Sequence, residues 1–250
     1  MPYFLNSTTL TAQKTLSISI IIPTLNEEQY IGACLDRLLS QTRHRYDLLD
    51  ELPEIIVVDG GSTDQTTEEV LVRGVRLISS EPGRGQQQHR GAEAAGGDTL
   101  LFLHCDTVLP KTFSEDISSA LREKNVAAGA FRLKINGNGL GFRLIEAGIQ
   151  VRSKIFSSPY GDQALFMRRE TYFAAKGFPQ QPLMEDVALV HRLKKRGRIV
   201  LTQTHVTTSA RRWQQHGLVK TTLINQLMLL GRAVGIPPQQ LARFYSAKRK

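Results

Sequence analysis

The chain has 250 residues, of which 41% are hydrophobic and 22% charged, a composition typical of a globular protein with one sizeable core. Lysine and arginine outnumber aspartate and glutamate by 32 to 23, giving a net charge of +9, which suits a phosphorylated ligand, an anionic membrane surface or nucleic acid. Aromatic residues are 7% of the chain and are not interleaved with the basic ones, which argues against a nucleic-acid-binding module.

No stretch of the sequence approaches the roughly 20 apolar residues of a membrane span. Residues 1–16 also lack the positive start and apolar run of a signal peptide. The two cysteines, Cys34 and Cys105, lie beside apolar residues without zinc-ligand spacing, which predicts reduced core residues. A cytoplasmic protein is therefore expected.

Strands and helices alternate along the first hundred residues. Apolar runs predict buried strands at 17–22, 54–58, 75–78 and 100–103. Helical spacing follows Asn26 and the 62–64 turn, and a glycine-punctuated segment at 83–91 precedes a helical stretch at 92–95. This order predicts an α/β fold, with a Rossmann-like, mostly parallel sheet flanked by helices.

The alternation loosens beyond Pro110. Further strands are predicted at 127–133, 163–167 and 199–206, and an apolar-rich helix at 218–235 precedes a basic tail. That helix is compatible with core packing, with a homodimer interface or with peripheral membrane contact. The predicted organisation is a flexible lead-in at 1–16, a main α/β domain at 17–207 and a C-terminal helical extension at 208–250.

Carboxylates end several of the predicted elements, namely Asp59, Asp106 and the pair Glu185–Asp186. In an open α/β sheet, ligands bind at the carboxyl ends of the strands. A nucleotide–metal site needs one carboxylate for the base or ribose, one for the cation and one to act as a base. Each of these residues alone is equally typical of a helix cap or a turn. Their order along the chain carries the prediction.

Four segments in this order resemble the inverting family 2 glycosyltransferases with a glycosyltransferase-A fold: 23–28 (PTLNEE), 57–64 (VVDGGSTD), 102–106 (FLHCD) and Glu185–Asp186. The resemblance spans about residues 17–207. Segments 161–166 (GDQALF) and 182–187 (PLMEDV) further resemble the branch associated with arsenosugar biosynthesis. The resemblance implies transfer of a sugar from a nucleotide-diphosphate sugar, with UDP expected, to a hydroxyl acceptor with inversion.

The resemblance also implies roles for single residues. Asp59 would accept a hydrogen bond from the base, which favours uracil. Asp106 matches the second carboxylate of the family's Asp-x-Asp motif and would hold manganese or magnesium, with His205 as an added ligand, while His104 replaces the first carboxylate. The implied donor-binding residues are Pro23, Thr24, Leu25, Glu27, Asp59, Arg84, Gln88, His104, Asp106 and Arg212.

Asp186 matches the family's general base, and Glu185 beside it would orient the helix start or the acceptor. Asp162 is expected on the acceptor side. Trp213 closes the segment 209–213 (SARRW), which is similar to the Gln-x-x-Arg-Trp signature of processive relatives with serine in place of glutamine. Trp213 is predicted to form a platform for a sugar.

Two other readings remain at this stage. A sugar-nucleotide nucleotidyltransferase would need a glycine-rich basic signature after the first strand, and 23–26 (PTLN) is not one. A dehydrogenase would need Gly-x-Gly-x-x-Gly between strand and helix, which does not occur. The other remaining reading is a non-catalytic protein that binds a membrane surface through its basic residues.

Overall fold

The computed structural model describes residues 16–43, 52–156 and 158–249. Of the predicted lead-in at 1–16 only Leu16 falls within these ranges, and the rest lies outside the described residues. The strands over these ranges are β1 (Ile18–Thr24), β2 (Glu54–Asp59), β3 (Arg76–Ser79), β4 (Thr99–Phe102), β5 (Thr107–Val108), β6 (Val126–Asn136), β7 (Phe166–Arg168) and β8 (Arg198–Ser209).

These strands form one sheet in the order β3-β2-β1-β4-β7-β6-β8-β5. The first four are parallel to their neighbours within that group, whereas β7 runs antiparallel to both β4 and β6. β8 is parallel to β6, and β5 is antiparallel to β8. The predicted α/β architecture is confirmed, and the irregular second half of the sequence corresponds to the mixed parallel and antiparallel part of the sheet.

The helices cover both faces of this sheet, with a 3-10 turn at Gly161–Gln163 before β7. They are α1 (Glu28–Arg43), α2 (Thr66–Leu71), α3 (Arg84–Ala94), α4 (Phe113–Arg122), α5 (Leu140–Phe156), α6 (Arg169–Ala174), α7 (Glu185–Lys194), α8 (Arg211–His216), α9 (Leu218–Ala233) and α10 (Pro238–Arg249). β8 ends two residues beyond the predicted 207/208 boundary. Among the described residues, no helix combines the length and the apolar character that crossing a bilayer requires.

The apolar run at 100–103 is buried on both sides. Leu101 and Leu103 pack into the core layer that holds α1 and α4, while Leu100 and Phe102 pack into the layer that holds α3 and α7. Successive strand residues point to opposite faces, so a run without polar interruption is what a two-sided sheet requires. Each such side chain contributes about 1.5–3 kcal/mol of hydrophobic stabilisation. Both cysteines are buried and free, as predicted.

The glycine-punctuated segment at 83–91 is helical, which corrects the prediction that the helix begins at residue 92. α3 starts at Arg84 and lies against the ends of the parallel strands. A Cβ atom on Gly91 would come within 2.4 Å of Ile21 Cγ2, and one on Gly85 within 2.7 Å of the Pro179 carbonyl oxygen. These glycines therefore permit close helix packing, and neither one forms a turn.

Candidate active site

The loops that follow β1 and β2 are tied together by hydrogen bonds. The Asn26 N–H donates to Ser62 Oγ at 2.9 Å, and Asn26 Oδ1 accepts the Thr63 N–H at 2.9 Å. The Glu28 N–H donates to Asp64 Oδ2 at 3.2 Å. The polar residues of the first two motifs therefore satisfy each other across two strands and hold both loops in one conformation.

These loops form one wall of a cavity of about 700 Å³ at the carboxyl ends of β1 and β4, here called the larger cavity. Its position is the one at which open α/β sheets bind ligands. All of the predicted donor-binding residues except Asp59 and Gln88 line it: Pro23, Thr24, Leu25, Glu27, Arg84, His104, Asp106 and Arg212.

Asp59 and Gln88 are directed into the protein. The Asp59 side chain is 4% exposed, and its Oδ2 accepts the N–H groups of Gly61 and Ser62, both at 2.9 Å. Gln88 is 1% exposed, and the adjacent Gln87 lines the cavity instead. Neighbouring helical residues differ by about 100° in direction, so a shift of one residue along α3 changes which side chain reaches the site. A contact between Asp59 and the base remains a prediction.

Arg211 is a site residue that the sequence did not single out. Its Nη1 and Nη2 atoms bind the Glu27 carboxylate at 2.7 and 2.8 Å, and its Nε lies 3.1 Å from Asp106 Oδ2. The guanidinium carbon lies 4.2 Å from the ring centroid of Tyr30. The hydrogen bonds that Arg211 donates to Glu27, and then the charge of Asp106, raise the pKa of Arg211 above its ordinary range. Since 184 positions separate Arg211 from Glu27, only the fold brings them together.

Asp106 is suited to bind a divalent cation whose remaining ligands come from the donor and from water. Among the described residues, no group of three or more histidine, cysteine, aspartate or glutamate side chains is arranged to hold a metal ion. Burial raises the pKa of Cys105, so this neighbour stays a neutral thiol. Manganese and magnesium need only one or two protein carboxylates when substrate phosphates and water complete the shell. Asp106 meets that requirement.

The structure does not bring His205 to Asp106. His205 is exposed on β8 opposite Arg132, and it lines neither cavity. β8 is hydrogen-bonded to Asp106 at Ser209, whose N–H donates to the Asp106 carbonyl at 3.1 Å. Four residues of extended strand span about 13 Å. His205 lies farther from the strand end than expected because β8 continues past the position where the sequence indicated its end, and its role as an added metal ligand stays a prediction.

A second cavity of about 450 Å³, here called the smaller cavity, adjoins the larger one. The two share Arg84, His104, Asp106 and Glu185 among their lining residues. Side chains from α5, α7, α9 and α10 complete the wall of the smaller cavity. All four residues predicted for catalysis or acceptor binding line it: Asp162, Glu185, Asp186 and Trp213.

Asp186 lies in the first turn of α7 and follows Glu185, which lines both cavities. Its Oδ2 accepts the Gly161 N–H at 2.8 Å, and its Oδ1 accepts the Val187 N–H at 2.7 Å. A Cβ atom on Gly161 would lie 3.4 Å from Asp186 Oδ2 and 3.6 Å from His104 Nε2. Gly161 therefore orients the carboxylate and leaves space between it and the imidazole, a role that sequence reasoning missed.

His104 is a neutral imidazole at this junction. Its Nε2 is buried and has no hydrogen-bond partner among the described residues. Burial lowers the pKa of His104 well below its ordinary value, and the charges of Arg84, Arg212 and Arg211 lower it further. A neutral ring nitrogen in this position can exchange a hydrogen bond with a sugar or acceptor hydroxyl.

Burial raises the pKa of two carboxyl groups beside Asp186. Glu185 is 4% exposed, and the opposing Arg84 Nη1 lies 3.6 Å from its Oε1. Asp162 has a buried Oδ1 without a partner among the described residues, and the charge of Arg152 opposes the effect of burial on its pKa. Titratable groups in one site with contrasting environments are typical of catalytic centres.

Trp213 forms part of the wall and is 9% exposed. It packs edge-on against Phe142, with ring centroids 6.3 Å apart. Its Nε1 is buried without a partner among the described residues. Arg152, another residue missed in the sequence, stacks over Tyr160 with its guanidinium carbon 3.7 Å from the ring centroid. The smaller cavity thus combines aromatic surface with polar atoms that lack partners.

Comparison with known proteins identifies the family. The family described as "Glycosyl transferase family 2" matches residues 19–177, which is more than half of the chain. The chain belongs to glycosyl transferase family 2. The nucleotidyltransferase and the non-catalytic membrane binder are thereby disfavoured. Glucosyl-3-phosphoglycerate synthase of Mycolicibacterium paratuberculosis is 34% identical over 104 residues, covering 38% of this chain and 30% of that protein. The aligned segment is therefore less than a third of that relative's length.

Solved structures show the same fold. Glucosyl-3-phosphoglycerate synthase of Mycobacterium tuberculosis, in complex with Mn²⁺, UDP and glucosyl-3-phosphoglycerate, has a TM-score of 0.54 at 23% identity, over 77% of this chain and 71% of that one. A mannosyltransferase of Pyrobaculum calidifontis, in complex with GDP-Man and Mn²⁺, has a TM-score of 0.63 at 18% identity, over 84% and 62%. The predicted glycosyltransferase-A fold of this family 2 member is confirmed.

Proposed function

We propose that this family 2 glycosyltransferase moves a sugar from a nucleotide-diphosphate sugar, with UDP as the expected nucleotide, to a hydroxyl acceptor with inversion at the anomeric carbon. The observation that carries the proposal is the junction of the two cavities. The larger cavity holds the motif residues expected to bind a donor, and the smaller one presents the oriented carboxylate of Asp186. Their shared wall is where a donor and an acceptor would meet.

In the proposed step, Asp186 accepts the proton of the acceptor hydroxyl as that oxygen bonds to the anomeric carbon. The bond between this carbon and the diphosphate oxygen breaks on the opposite side, and the diphosphate leaves with the electron pair. The guanidinium groups of Arg84 and Arg212, which line both cavities, offer positive charge to the leaving group. One displacement without an enzyme nucleophile inverts the configuration.

Asp106 is the residue that we expect to hold manganese or magnesium together with the donor. When bound, such an ion supplies positive charge to the leaving diphosphate. The Mn²⁺ in the two structural neighbours supports a divalent cation here. Arg211 already gives Asp106 a cationic partner at 3.1 Å, so metal binding must share or displace that contact.

The finer part of the proposal concerns the acceptor. The two segments that resemble the arsenosugar-associated branch, 161–166 and 182–187, come together at the smaller cavity through the bond from Gly161 to Asp186. Since these segments form the wall on the acceptor side, the branch resemblance supports an acceptor of that pathway. A cytoplasmic location also belongs to the proposal.

The proposal is tested first by binding and then by product analysis. Thermal shifts with UDP, GDP, TDP and CMP, each with and without manganese, should show the largest stabilisation for UDP with the metal, because ligands that bind the native state raise its stability. Proton NMR of freshly formed product should then show inverted anomeric coupling. Retention of the donor's configuration would refute the mechanism, and absence of stabilisation by any nucleotide would refute the donor assignment.

A further inference from the structure

Helix α9 carries an apolar stripe that is exposed to solvent in the described residues. Its members are spaced by three or four positions, which places them on one side of the helix. The α9 stripe consists of Val219, Leu223, Leu227, Leu230 and Val234, which are 68%, 56%, 49%, 62% and 77% exposed.

The remaining surface of α9 is held by the fold. Met228 is 5% exposed, and Gly231 packs so closely against Leu241 of α10 that a Cβ atom would lie 2.7 Å from Leu241 Cδ2. Asn225 and Leu229 line the smaller cavity. The helix is therefore anchored on its inner side, and the α9 stripe is a separate outer face.

A second exposed apolar strip lies on α5. Leu140, Leu144 and Val151 are 83%, 74% and 55% exposed. The two helices touch at their beginnings, where a Cβ atom on Gly141 would lie 3.0 Å from Leu218 Cδ1. Exposed apolar side chains on two adjoining helices are more than the scattered single residues that ordinary surfaces carry, and such patches mark interaction sites.

The charge of this part of the chain indicates the partner. Residues 213–250 contain six lysine and arginine residues and no aspartate or glutamate. Lys220 adjoins the α9 stripe at its first member, and Arg243 is exposed on α10. A second copy docked through the same face would find no aspartate or glutamate in residues 213–250 to pair with its basic residues. A membrane surface rich in anionic lipid offers negative headgroups to the basic residues and an apolar interior to the α9 stripe.

We propose that the α9 stripe, with its basic surroundings, docks the protein on the surface of a bilayer rich in anionic lipid. The stripe enters the boundary between headgroups and acyl chains, and the basic residues bind the headgroups. Because the inner side of α9 lines the smaller cavity, docking brings the expected acceptor site next to the lipid. That consequence rests on the proposed function, whereas the docking itself does not.

The test is co-sedimentation of the full chain with vesicles of phosphatidylcholine alone or with about one-third phosphatidylglycerol. We expect binding to the anionic vesicles, weakened as salt rises from about 0.1 M to about 0.5 M. The variant Leu223→Gln/Leu227→Gln/Leu230→Gln should lose at least about tenfold in partitioning, because it removes the apolar contacts. Glutamine is a good helix former, so α9 is retained.

The matched control is Leu71→Gln/Val72→Gln, which replaces residues that are 61% and 77% exposed at the end of α2. It should bind vesicles as the wild type does, and both variants should keep the thermal shift with UDP. If the triple variant fails to fold, Lys220→Gln/Arg243→Gln provides the second measurement and should weaken binding to anionic vesicles. Failure of the wild type to bind, or equal binding by a folded triple variant, would overturn the proposal. A dimer that the triple variant dissociates, without vesicle binding, would assign the face to a second copy and also overturn it.

Discussion

The larger and the smaller cavities are built in different ways. Around the larger cavity, the loops after β1 and β2 satisfy each other's polar groups, and Arg211 joins Glu27 to Asp106. The smaller cavity is lined by four buried polar atoms without partners among the described residues: His104 Nε2, Asp162 Oδ1, Arg152 Nε and Trp213 Nε1. Each such atom costs about 1–3 kcal/mol when left unpaired. The proposed donor side is thus held by its own bonds, while the proposed acceptor side offers bonds to a ligand.

Among these variants, Asp186→Asn is expected to separate catalysis from donor binding most clearly. Loss of a general base should lower kcat by a factor of about 10²–10⁴, since the amide cannot take the proton of the acceptor hydroxyl. The dissociation constant for UDP should stay the same, because Asp186 lines only the smaller cavity. Steady-state kinetics and titration calorimetry measure the two quantities.

The surface variant Asp36→Asn serves as the control for Asp186→Asn, because Asp36 pairs with Arg73 at 2.8 Å outside both cavities. It should change neither quantity. Loss of UDP binding together with activity in Asp186→Asn would instead assign Asp186 a structural role.

The variant Asp106→Asn tests the donor side. We expect it to abolish most of the gain in UDP affinity that manganese provides, by more than the roughly tenfold that loss of a supporting residue costs a metal site. Affinity for UDP without metal should change less, because Arg84 and Arg212 remain. Calorimetry across a manganese series decides the matter, and identical curves for variant and wild type would exclude Asp106 as the ligand.

A pH series tests whether His104 belongs to the group of unpartnered polar atoms. Its folded pKa lies well below the ordinary value near 6.5, so the unfolded chain binds more protons between these two values. The free energy of unfolding should therefore fall as pH drops below about 6.5, by up to about 1.4 kcal/mol per pH unit from this residue.

Burial raises the pKa values of Asp162 and Glu185, so at these two groups the folded chain binds more protons than the unfolded chain. Their contribution lowers the free energy of unfolding as pH rises above the ordinary carboxyl range. The difference between His104→Gln and the wild type isolates the imidazole. Urea unfolding near pH 7.5, 6.5 and 5.5 should show that the variant loses less stability than the wild type at the acidic end. Parallel curves for the two proteins would contradict a buried neutral His104.

The smallest effect is expected from Arg211→Lys, which keeps the charge but loses the two-pronged contact with Glu27 and the stacking on Tyr30. Because both side chains are partly exposed, we expect a loss of about 1 kcal/mol, or about 2–4 °C in Tm. Arg198→Lys is the matched control, since its contact with Glu123 is more exposed. That control should leave Tm unchanged. Equal effects of the two variants would show that the link from Glu27 to Asp106 does not stabilise the donor side.

Local sequence was informative where a residue's role depends on its own segment. Apolar runs identified the parallel strands, and the polar residues at or just after the ends of β1 and β4 reached the larger cavity because strand ends share one edge of a sheet. The position of Asp186 was predictable for a related reason, since an acidic pair before an apolar helical pattern predicts the first turn of a helix. The family resemblance supplied its role.

The remaining features depend on contacts between distant segments. The sequence alone indicated the strands, because these follow from short-range periodicity, and the order of its motifs carried the resemblance to the family. Only the tertiary structure decided that Gln87 and not Gln88 reaches the site, since helix phase is set by how Gly85 and Gly91 pack. The tertiary structure likewise placed His205 away from Asp106 and Arg211 beside Asp106. Strand length and pairing register determine which side chains meet, and the local sequence pattern predicts neither of them.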